Sequence, residues 1–173
     1  MIVVGATGMI SDVDGFLRKL LEFATEEQLV IQALNAEVIY GKEHLLSAAE
    51  HALRSFTQGT NATNSLALEI LLYAAGERQI TKAIKKMGIG AGRQKLAFIL
   101  LDPTKQRKTR KVLDSSFEKL LCMFHLTPDD TVLEGTIDTL KRFGITDQER
   151  QTVPQDKYGD LILERVAMVD VIK

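Results

Sequence analysis

The chain has 173 residues, of which 45% are hydrophobic and 26% are charged, and its formal net charge at pH 7 is −1. This length and apolar content suffice for one packed core and are short for two, so the sequence predicts a single domain over residues 1–173. Because the chain has one cysteine and no apolar run of the ~18 residues that a membrane helix needs, its composition excludes an intrachain disulfide and a spanning helix, and predicts a soluble, cytoplasmic protein.

The first elements in chain order are a strand, a helix and two further strands. Residues 1–5 form the apolar run of a buried strand. The following helix has apolar residues at helical spacing, and we expect its buried face to include Leu17 and Leu21. Short apolar runs at residues 29–33 and 36–40 predict two strands that meet at a turn.

The central part of the chain is predicted to be helical. Residues 42–56 have apolar side chains at helical spacing, whereas residues 65–75 are apolar on nearly every side, which predicts an enclosed helix. Glu69 is the charged residue of this helix, and a buried carboxylate without a partner costs several kcal/mol, as an order of magnitude. We therefore expect Glu69 to pair with Arg78, with His44 or with a helix N-terminus, or else to reach a partner or an RNA-facing groove.

A short helix at residues 79–87 separates an apolar face from a basic one. We expect Ile80 and Ile84 to face inward, together with Ala83 and Met87, and Lys82, Lys85 and Lys86 to share the opposite side. Three glycines follow within residues 88–92, before Arg93. Their backbone amides would suit a phosphate, although such glycines also mark ordinary loops.

Charge is concentrated in one part of the sequence. Residues 78–111 contain eleven basic residues and one acidic residue, a net charge of +10, and the remaining residues carry −11. Such a segment suits a polyanion, because neutralised phosphates release counterions. The alternative is a solvated face that pairs with acids elsewhere in the fold, and the basic run at residues 105–111 is open to both interpretations. The residues predicted to contact nucleic acid are Arg78, Lys82, Lys85, Lys86 and Arg93.

Two helices are predicted in the last third. Thr127 and Pro128 before two acids resemble a helix start, and that helix would end at Gly144. The final helix, near residues 157–172, is apolar around more than half its circumference, so part of it is predicted to meet another protein unless the domain buries it completely. The residues predicted to bind this partner are Leu161, Val166, Val169 and Ile172. Cys122 precedes this region in an apolar stretch that predicts a buried thiol.

No catalytic constellation is present in the sequence, and no metal or cofactor site is predicted. His44 and His51 are seven residues apart, about 10 Å along a helix, which is too far for one metal without a third ligand. The rival interpretation is a small dinucleotide-binding enzyme that uses GATG at residues 5–8 as a phosphate turn. Against it, Ser11 replaces the third glycine and Asp12 would place negative charge beside a pyrophosphate.

An ordered set of short motifs resembles one known family. The motifs are QALNA at residues 32–36, Gly41 before His44 and Leu45, NS at residues 64–65, EILLY at residues 69–73, and Gly76 before QI at residues 79–80. Together they resemble the kinase-associator subunit of the KEOPS complex, the PRPK-binding protein or TPRKB-like family, in its archaeal type.

The resemblance implies a non-enzymatic subunit without a cofactor. It would bind the atypical protein kinase subunit of KEOPS and, through it, act indirectly on the ATPase subunit that transfers threonylcarbamoyl to tRNA. The resemblance also implies binding of tRNA at its 3′ end, and a structural role for His44. The expected fold is α+β, a single domain that is mainly helical around a small mixed β-sheet. A protein adaptor without RNA affinity stays open as an alternative.

Overall fold

The computed structural model describes residues 1–104 and 108–171, and these residues form two compact units. The first unit comprises Met1–Ala36 and Ile89–Val132, and the second comprises Glu37–Gly88 and the chain from Leu133 onward. Secondary structure follows in chain order, with short 3₁₀ turns at Ala36–Val38, Asp130–Leu133 and Gln155–Lys157. The strands and helices are β1 (Ile2–Ile10), α1 (Val13–Glu26), β2 (Val30–Asn35), α2 (Gly41–Gln58), α3 (Leu66–Ala75), α4 (Ile80–Met87), β3 (Gly92–Leu101), α5 (Arg110–Phe124), β4 (Thr127–Pro128), α6 (Ile137–Phe143), α7 (Asp147–Gln151) and α8 (Tyr158–Val171).

The predicted α+β class is confirmed, and the sheet differs from the prediction in strand direction. The strand order is β2-β3-β1-β4, and each of these neighbouring pairs is antiparallel. The longest pairing joins β1 and β3, with Ile2 opposite Leu100 and Ile10 opposite Gly92. The sheet described here is therefore antiparallel and not mixed. Apolar runs in a sequence identify strands but do not give their direction, which is why the prediction was wrong on this point.

The core of the first unit lies between the sheet and two helices. Alternate residues of β1, β2 and β3 face α1 and α5, as the period of two in a strand requires. Phe98 of β3 packs against Phe117 of α5 with ring centroids 5.8 Å apart. The residues of this core are Ile2, Ala6, Ile10, Phe16, Leu20, Phe23, Ala24, Leu29, Ile31, Ala33, Leu96, Phe98, Leu100, Leu113, Phe117, Leu120 and Leu126.

The glycines of the GATG motif lie inside β1 and not at a turn between a strand and a helix. A Cβ atom on Gly5 would overlap the carbonyl oxygen of Asp129, and one on Gly8 would overlap the side chain of Leu126. The backbone N–H of Asp129 also donates to the Gly5 carbonyl at 2.9 Å. These glycines therefore admit a neighbouring segment of the chain, which contradicts the dinucleotide-turn interpretation.

Two predicted element boundaries are wrong. Residues 36–40 do not form a second strand, because the chain enters a 3₁₀ turn at Ala36–Val38 directly after β2. Thr127 and Pro128 do not start a helix, because they pair with Thr7 and Ala6 of β1 as an edge strand. Strand pairing prevails here over the local cap signals. The helix instead begins at Ile137, with Thr136 as its N-cap in a capping box with Thr139.

Several apolar residues of the first unit lie at the surface, contrary to expectation. Leu17 is 43% exposed and Leu21 is 70% exposed, because the buried face of α1 is the adjacent one that contains Phe16 and Leu20. Cys122 is also exposed. An apolar neighbourhood in the sequence does not identify which side of a helix faces the core.

Helix α3 forms the core of the second unit, as predicted. Seven of its ten residues are buried, and α2, α4 and α8 pack against it. A smaller apolar cluster contains Leu140, Phe143, Ile145, Leu161 and Ile162. The surrounding helices explain why α3 is apolar on nearly every side.

Candidate functional site

Two basic side chains meet the C-terminal end of α3. Helix α3 ends at Gly76, whose φ of +63° is the left-handed conformation that favours glycine. The Nε2 atom of His44 lies 2.8 Å from the Ala74 carbonyl oxygen, and the Lys86 ammonium donates to the Ala75 carbonyl at 2.7 Å. Carbonyls in the last turn of a helix lack intrahelical partners and carry partial negative charge, so both contacts stabilise this end.

His44 is a buried structural histidine, as predicted. A carbonyl oxygen only accepts hydrogen bonds, so Nε2 of His44 carries the proton donated to Ala74. Its Nδ1 atom accepts the backbone N–H of Tyr40 at 3.3 Å, which requires the neutral ring. Burial lowers the pKa of His44 to about 4. Both ring nitrogens are therefore engaged within the fold.

Lys86 does not lie on the exposed basic face that the helical spacing predicts. Besides its hydrogen bond to Ala75, its ammonium lies 3.6 Å from the centroid of the Phe143 ring, a cation–π contact. Burial lowers the pKa of this half-buried lysine. The residue belongs to the packing of the second unit, and the i, i+4 pattern with Lys82 overestimates the charge available on the surface of α4.

Arg78 and Lys82 line a hollow where α3 connects to α4. The hollow has a volume of about 480 Å³, and its other lining residues are Gly76, Glu77 and Gln79. Lys82 is exposed, as is Lys85 one turn further along α4, and neither lysine has a hydrogen bond or ion pair to any described residue. The structure thus brings three of the predicted nucleic-acid residues, Arg78, Lys82 and Lys85, to one end of the second unit.

Arg93 lies in the first unit, on β3. Its cross-strand neighbour is Met9 of β1, and it lines a hollow of about 130 Å³ together with His125, Thr7 and Thr127. The predicted set of basic residues is therefore divided between the two units. Lys82 and Arg93 are close in the sequence, so the sequence did not indicate that they belong to different units.

The basic run at residues 105–111 is partly used within the fold. Lys105 and Arg107 lie outside the described residues. Lys108 donates from its ammonium to the Glu27 carbonyl, and Arg110 pairs with Asp114 at 3.7 Å. Lys108 therefore contacts a group elsewhere in the fold, whereas Arg110 pairs within α5 and is largely exposed.

Glu69 is buried, and none of its three predicted partners is the one observed. Its carboxylate accepts the backbone N–H groups of Ala62 and Thr63, the latter at 2.9 Å. The hydroxyls of Thr63 and Ser55 donate to it at 3.0 and 3.3 Å. Glu69 therefore holds the loop between α2 and α3, and the sequence contained no signal that this loop folds back on it.

The residues predicted to bind a partner on α8 are largely buried. Leu161, Val166 and Val169 are 8%, 0% and 5% exposed, so they belong to the core of the second unit, and Ile172 lies outside the described residues. The exposed large apolar residues of α8 are Met168 at 38% and Val171 at 72%. Apolar residues occur around most of this helix, so the sequence could not assign its buried face.

Helix α4 also exposes apolar residues. Ile80 and Ile84 are 36% and 50% exposed, which contradicts the expectation that both face inward. Ala83 and Met87 are fully buried instead. Because α4 has only two turns, a small rotation about its axis decides which of these residues reach the core.

Neither a metal centre nor a membrane-spanning helix occurs in the described part of the chain. No three His, Cys, Asp or Glu side chains cluster closely enough there to hold a metal ion. His51 instead pairs through Nδ1 with Asp170 at 2.7 Å, and the Tyr73 hydroxyl donates to the same carboxylate at 2.5 Å. None of the described helices is long and apolar enough to cross a bilayer.

Comparison with known proteins assigns the chain to a family. The family described as "Kinase binding protein CGI-121" matches residues 10–170. The chain is also 28% identical over 148 residues to the regulatory protein Cgi121 of Methanocaldococcus jannaschii, an alignment that covers 84% of this chain and 86% of that protein. The match spans both structural units. The chain belongs to the CGI-121 family of kinase-binding proteins.

Proposed function

We propose that this protein is a non-catalytic accessory subunit of the KEOPS complex, which forms threonylcarbamoyladenosine in tRNA. It binds the atypical kinase subunit and the 3′ end of tRNA, and acts indirectly on the ATPase subunit that transfers threonylcarbamoyl. The observation that carries this proposal is the family match over residues 10–170, together with the motifs shared with the KEOPS kinase-associator subunit. The regulatory protein Cgi121 of M. jannaschii supports the regulatory role.

The exposed side of α8 is the proposed kinase-binding surface. Met168 and Val171 are apolar and solvent-accessible, whereas Val166 is fully buried. Contiguous apolar side chains at the surface of a helix favour a protein partner. This assignment replaces the buried residues that the sequence alone selected.

The proposed tRNA contact uses Arg78, Lys82 and Lys85. The two lysines are exposed, and their side chains have no hydrogen bond or ion pair to any described residue, so their charge is available to phosphates. Lys86 is not included, because its ammonium is bound to Ala75. Arg93 is not included either, because it belongs to the first unit and lines a different hollow.

The kinase interaction is tested by titrating the purified kinase subunit against Met168→Glu and Val171→Glu variants. We expect each substitution to weaken binding at least tenfold, because a carboxylate in an apolar interface is desolvated without a partner. Val112→Glu is the matched control, since Val112 is 43% exposed on α5. Unchanged kinase affinity in both α8 variants would contradict this surface, and no affinity in the wild type would contradict the function.

The tRNA interaction is tested by fluorescence anisotropy with full-length tRNA and with tRNA trimmed of its single-stranded 3′ tail. We expect salt-sensitive binding that weakens on trimming, and at least tenfold weaker binding in the Lys82→Glu/Lys85→Glu variant. The control is Arg54→Glu/Lys141→Glu, which reverses two exposed charges elsewhere in the second unit. If neither RNA binds the wild type, the protein is an adaptor without RNA affinity.

A further inference from the structure

Two adjoining hollows on the first unit are separate from the surfaces proposed above. The larger, of about 350 Å³, lies between the beginning of α1 and the end of α5. The smaller, of about 130 Å³, lies at the end of the sheet where β1, β3 and β4 meet. Met9 and His125 line both, so the two hollows form one continuous surface, which we name the α1–α5 cleft.

Basic side chains dominate the polar lining of the α1–α5 cleft. Arg18, Lys19, Arg93 and His125 line it, and none of these four side chains has a hydrogen bond or ion pair to another described residue. The acidic residue among the described lining is Asp12, whose carboxylate accepts the Gly15 N–H at 3.0 Å as the N-cap of α1. Arg18, Lys19 and Arg93 therefore give the cleft a surplus of positive charge over the one carboxylate of Asp12 in its described lining.

The apolar lining of the α1–α5 cleft includes two exposed methionines. Met9 is 65% exposed and Met123 is 43% exposed, and both line the larger hollow. Beneath them Phe16 and Phe124 pack together with ring centroids 4.3 Å apart. Methionine side chains are unbranched and polarizable, and they adapt to apolar groups of varied shape. Exposed methionines over an aromatic floor thus form an apolar contact site inside a basic rim.

This combination favours a peptide over a nucleic acid. Single-stranded nucleic acids bind on exposed aromatic ring faces, but Phe16 is only 5% exposed and packs against the partly buried Phe124. Thioethers instead suit aliphatic and aromatic side chains of a peptide, and a basic rim suits carboxylates. A volume of about 350 Å³ is within the range of ligand-binding clefts.

We propose that the α1–α5 cleft binds an acidic peptide segment of a partner protein. A bulky apolar side chain of the segment lies between Met9 and Met123. Its flanking carboxylates meet Arg18 and Lys19 on one side and Arg93 on the other. This inference concerns the first unit and does not depend on the tRNA contact of the second.

The test is a selection of random twelve-residue peptides displayed on phage against the purified full-length protein. We expect the enriched peptides to be acidic and to contain at least one bulky apolar residue. The affinity of an enriched peptide, measured by fluorescence anisotropy, should fall at least tenfold in an Arg18→Glu/Arg93→Glu variant and severalfold in a Met9→Ser variant. Replacing the glutamates of the peptide by glutamine should weaken binding and remove its salt dependence.

Matched controls lie on the same unit outside the α1–α5 cleft. Lys111→Glu reverses an exposed charge on α5, and Leu21→Ser removes an apolar side chain that is 70% exposed on α1. Both should bind the enriched peptide within about twofold of the wild type. Circular dichroism of each variant shows whether a loss of binding follows from unfolding.

Two outcomes would overturn the proposal. One is that no acidic peptide is enriched, or that enriched peptides bind the cleft variants as well as the wild type. The other is that no peptide binds the cleft, whereas a twelve-nucleotide single-stranded RNA binds the wild type and loses affinity in the Arg18→Glu/Arg93→Glu variant. The second outcome would assign the cleft to nucleic acid, while kinase binding in the same preparation would show that the proposed function still holds.

Discussion

The Nε2–H group of His44 in α2 donates to the Ala74 carbonyl oxygen in α3 across 2.8 Å, between residues that are 30 positions apart in the chain. The other ring nitrogen accepts the N–H of Tyr40, so the neutral ring links the start of α2 to the end of α3. The ring edge also packs against Phe143 with centroids 5.4 Å apart. A single buried imidazole thereby fixes three parts of the second unit.

This arrangement predicts that stability falls as the pH is lowered from about 6.5 to about 4. In that window the unfolded state binds a proton on His44 and the folded state does not, since the folded pKa is about 4. The free energy of unfolding should therefore decrease by up to about 1.4 kcal/mol per pH unit, on the order of 3 kcal/mol in all. Urea denaturation at several pH values measures this slope.

A His44→Gln variant separates this effect from other titrating groups. Its amide can donate to Ala74 without titrating, so the stability difference between wild type and variant should shrink as the pH falls. His125→Gln is the control, since it replaces an exposed histidine outside this site. Equal slopes in wild type and His44→Gln would show that His44 is not the group responsible.

Lys86 is predicted to stabilise the fold, unlike its exposed neighbour Lys82. Replacing Lys86 by glutamine removes its hydrogen bond to Ala75 and its contact with Phe143, which should cost about 1–3 kcal/mol. Lys82→Gln should change the free energy of unfolding by less than about 0.5 kcal/mol. Thermal and urea unfolding of both variants test this contrast. Similar stability losses would contradict the different roles of these two lysines.

Some features of the second unit followed from residue pattern, and others required tertiary pairing. The enclosed character of α3 and the structural role of His44 were predictable, because an all-apolar helix and a histidine beside a helix start have few alternatives. The buried sides of α4 and α8 were not, because both helices are apolar on more faces than the core can take. Val166 and Val171 differ by five positions and have equal hydrophobicity, yet one is buried and the other exposed.

In the first unit, β1 and β2 were predictable, but their partners and β4 were not. GATG in the sequence matches both a phosphate turn and a strand that another segment approaches closely, and only the contact of Gly5 with Asp129 distinguishes them. Likewise, Thr127 and Pro128 satisfy local helix-start preferences, but pairing with β1 prevails. The composition of the α1–α5 cleft could not be predicted either, because Arg18, Arg93 and His125 come from separate segments.

Glu69 is predicted to order the loop at residues 59–65. In Glu69→Gln the amide nitrogen would face the N–H donors of Ala62 and Thr63, and at least one buried polar group would lose its partner. The expected cost is about 1–3 kcal/mol, with faster hydrogen exchange at the Ala62 and Thr63 amides than in wild type. Glu50→Gln, an exposed change on α2, is the control. Unchanged exchange at both amides would contradict this role of Glu69.

The two glycines inside β1 are predicted to differ in their tolerance of alanine. A Cβ atom on Gly5 meets the backbone oxygen of Asp129, which cannot move without breaking the hydrogen bond between Asp129 and Gly5. A Cβ atom on Gly8 meets the end of the Leu126 side chain, which can change rotamer. We therefore expect Gly5→Ala to cost about 3 kcal/mol or more and Gly8→Ala about 1–2 kcal/mol.

Urea denaturation of the two alanine variants measures this difference, with Gly90→Ala as the reference. An added Cβ at Gly90 has its nearest neighbour at 3.6 Å, an ordinary contact, so this change should be within about 0.5 kcal/mol of the wild type. A dinucleotide turn predicts a different pattern, in which Gly5→Ala and Gly8→Ala leave the fold intact and abolish stabilisation by added NADPH. Loss of stability in Gly5→Ala, without any effect of NADPH on the wild type, would instead show that Gly5 admits the segment that follows β4.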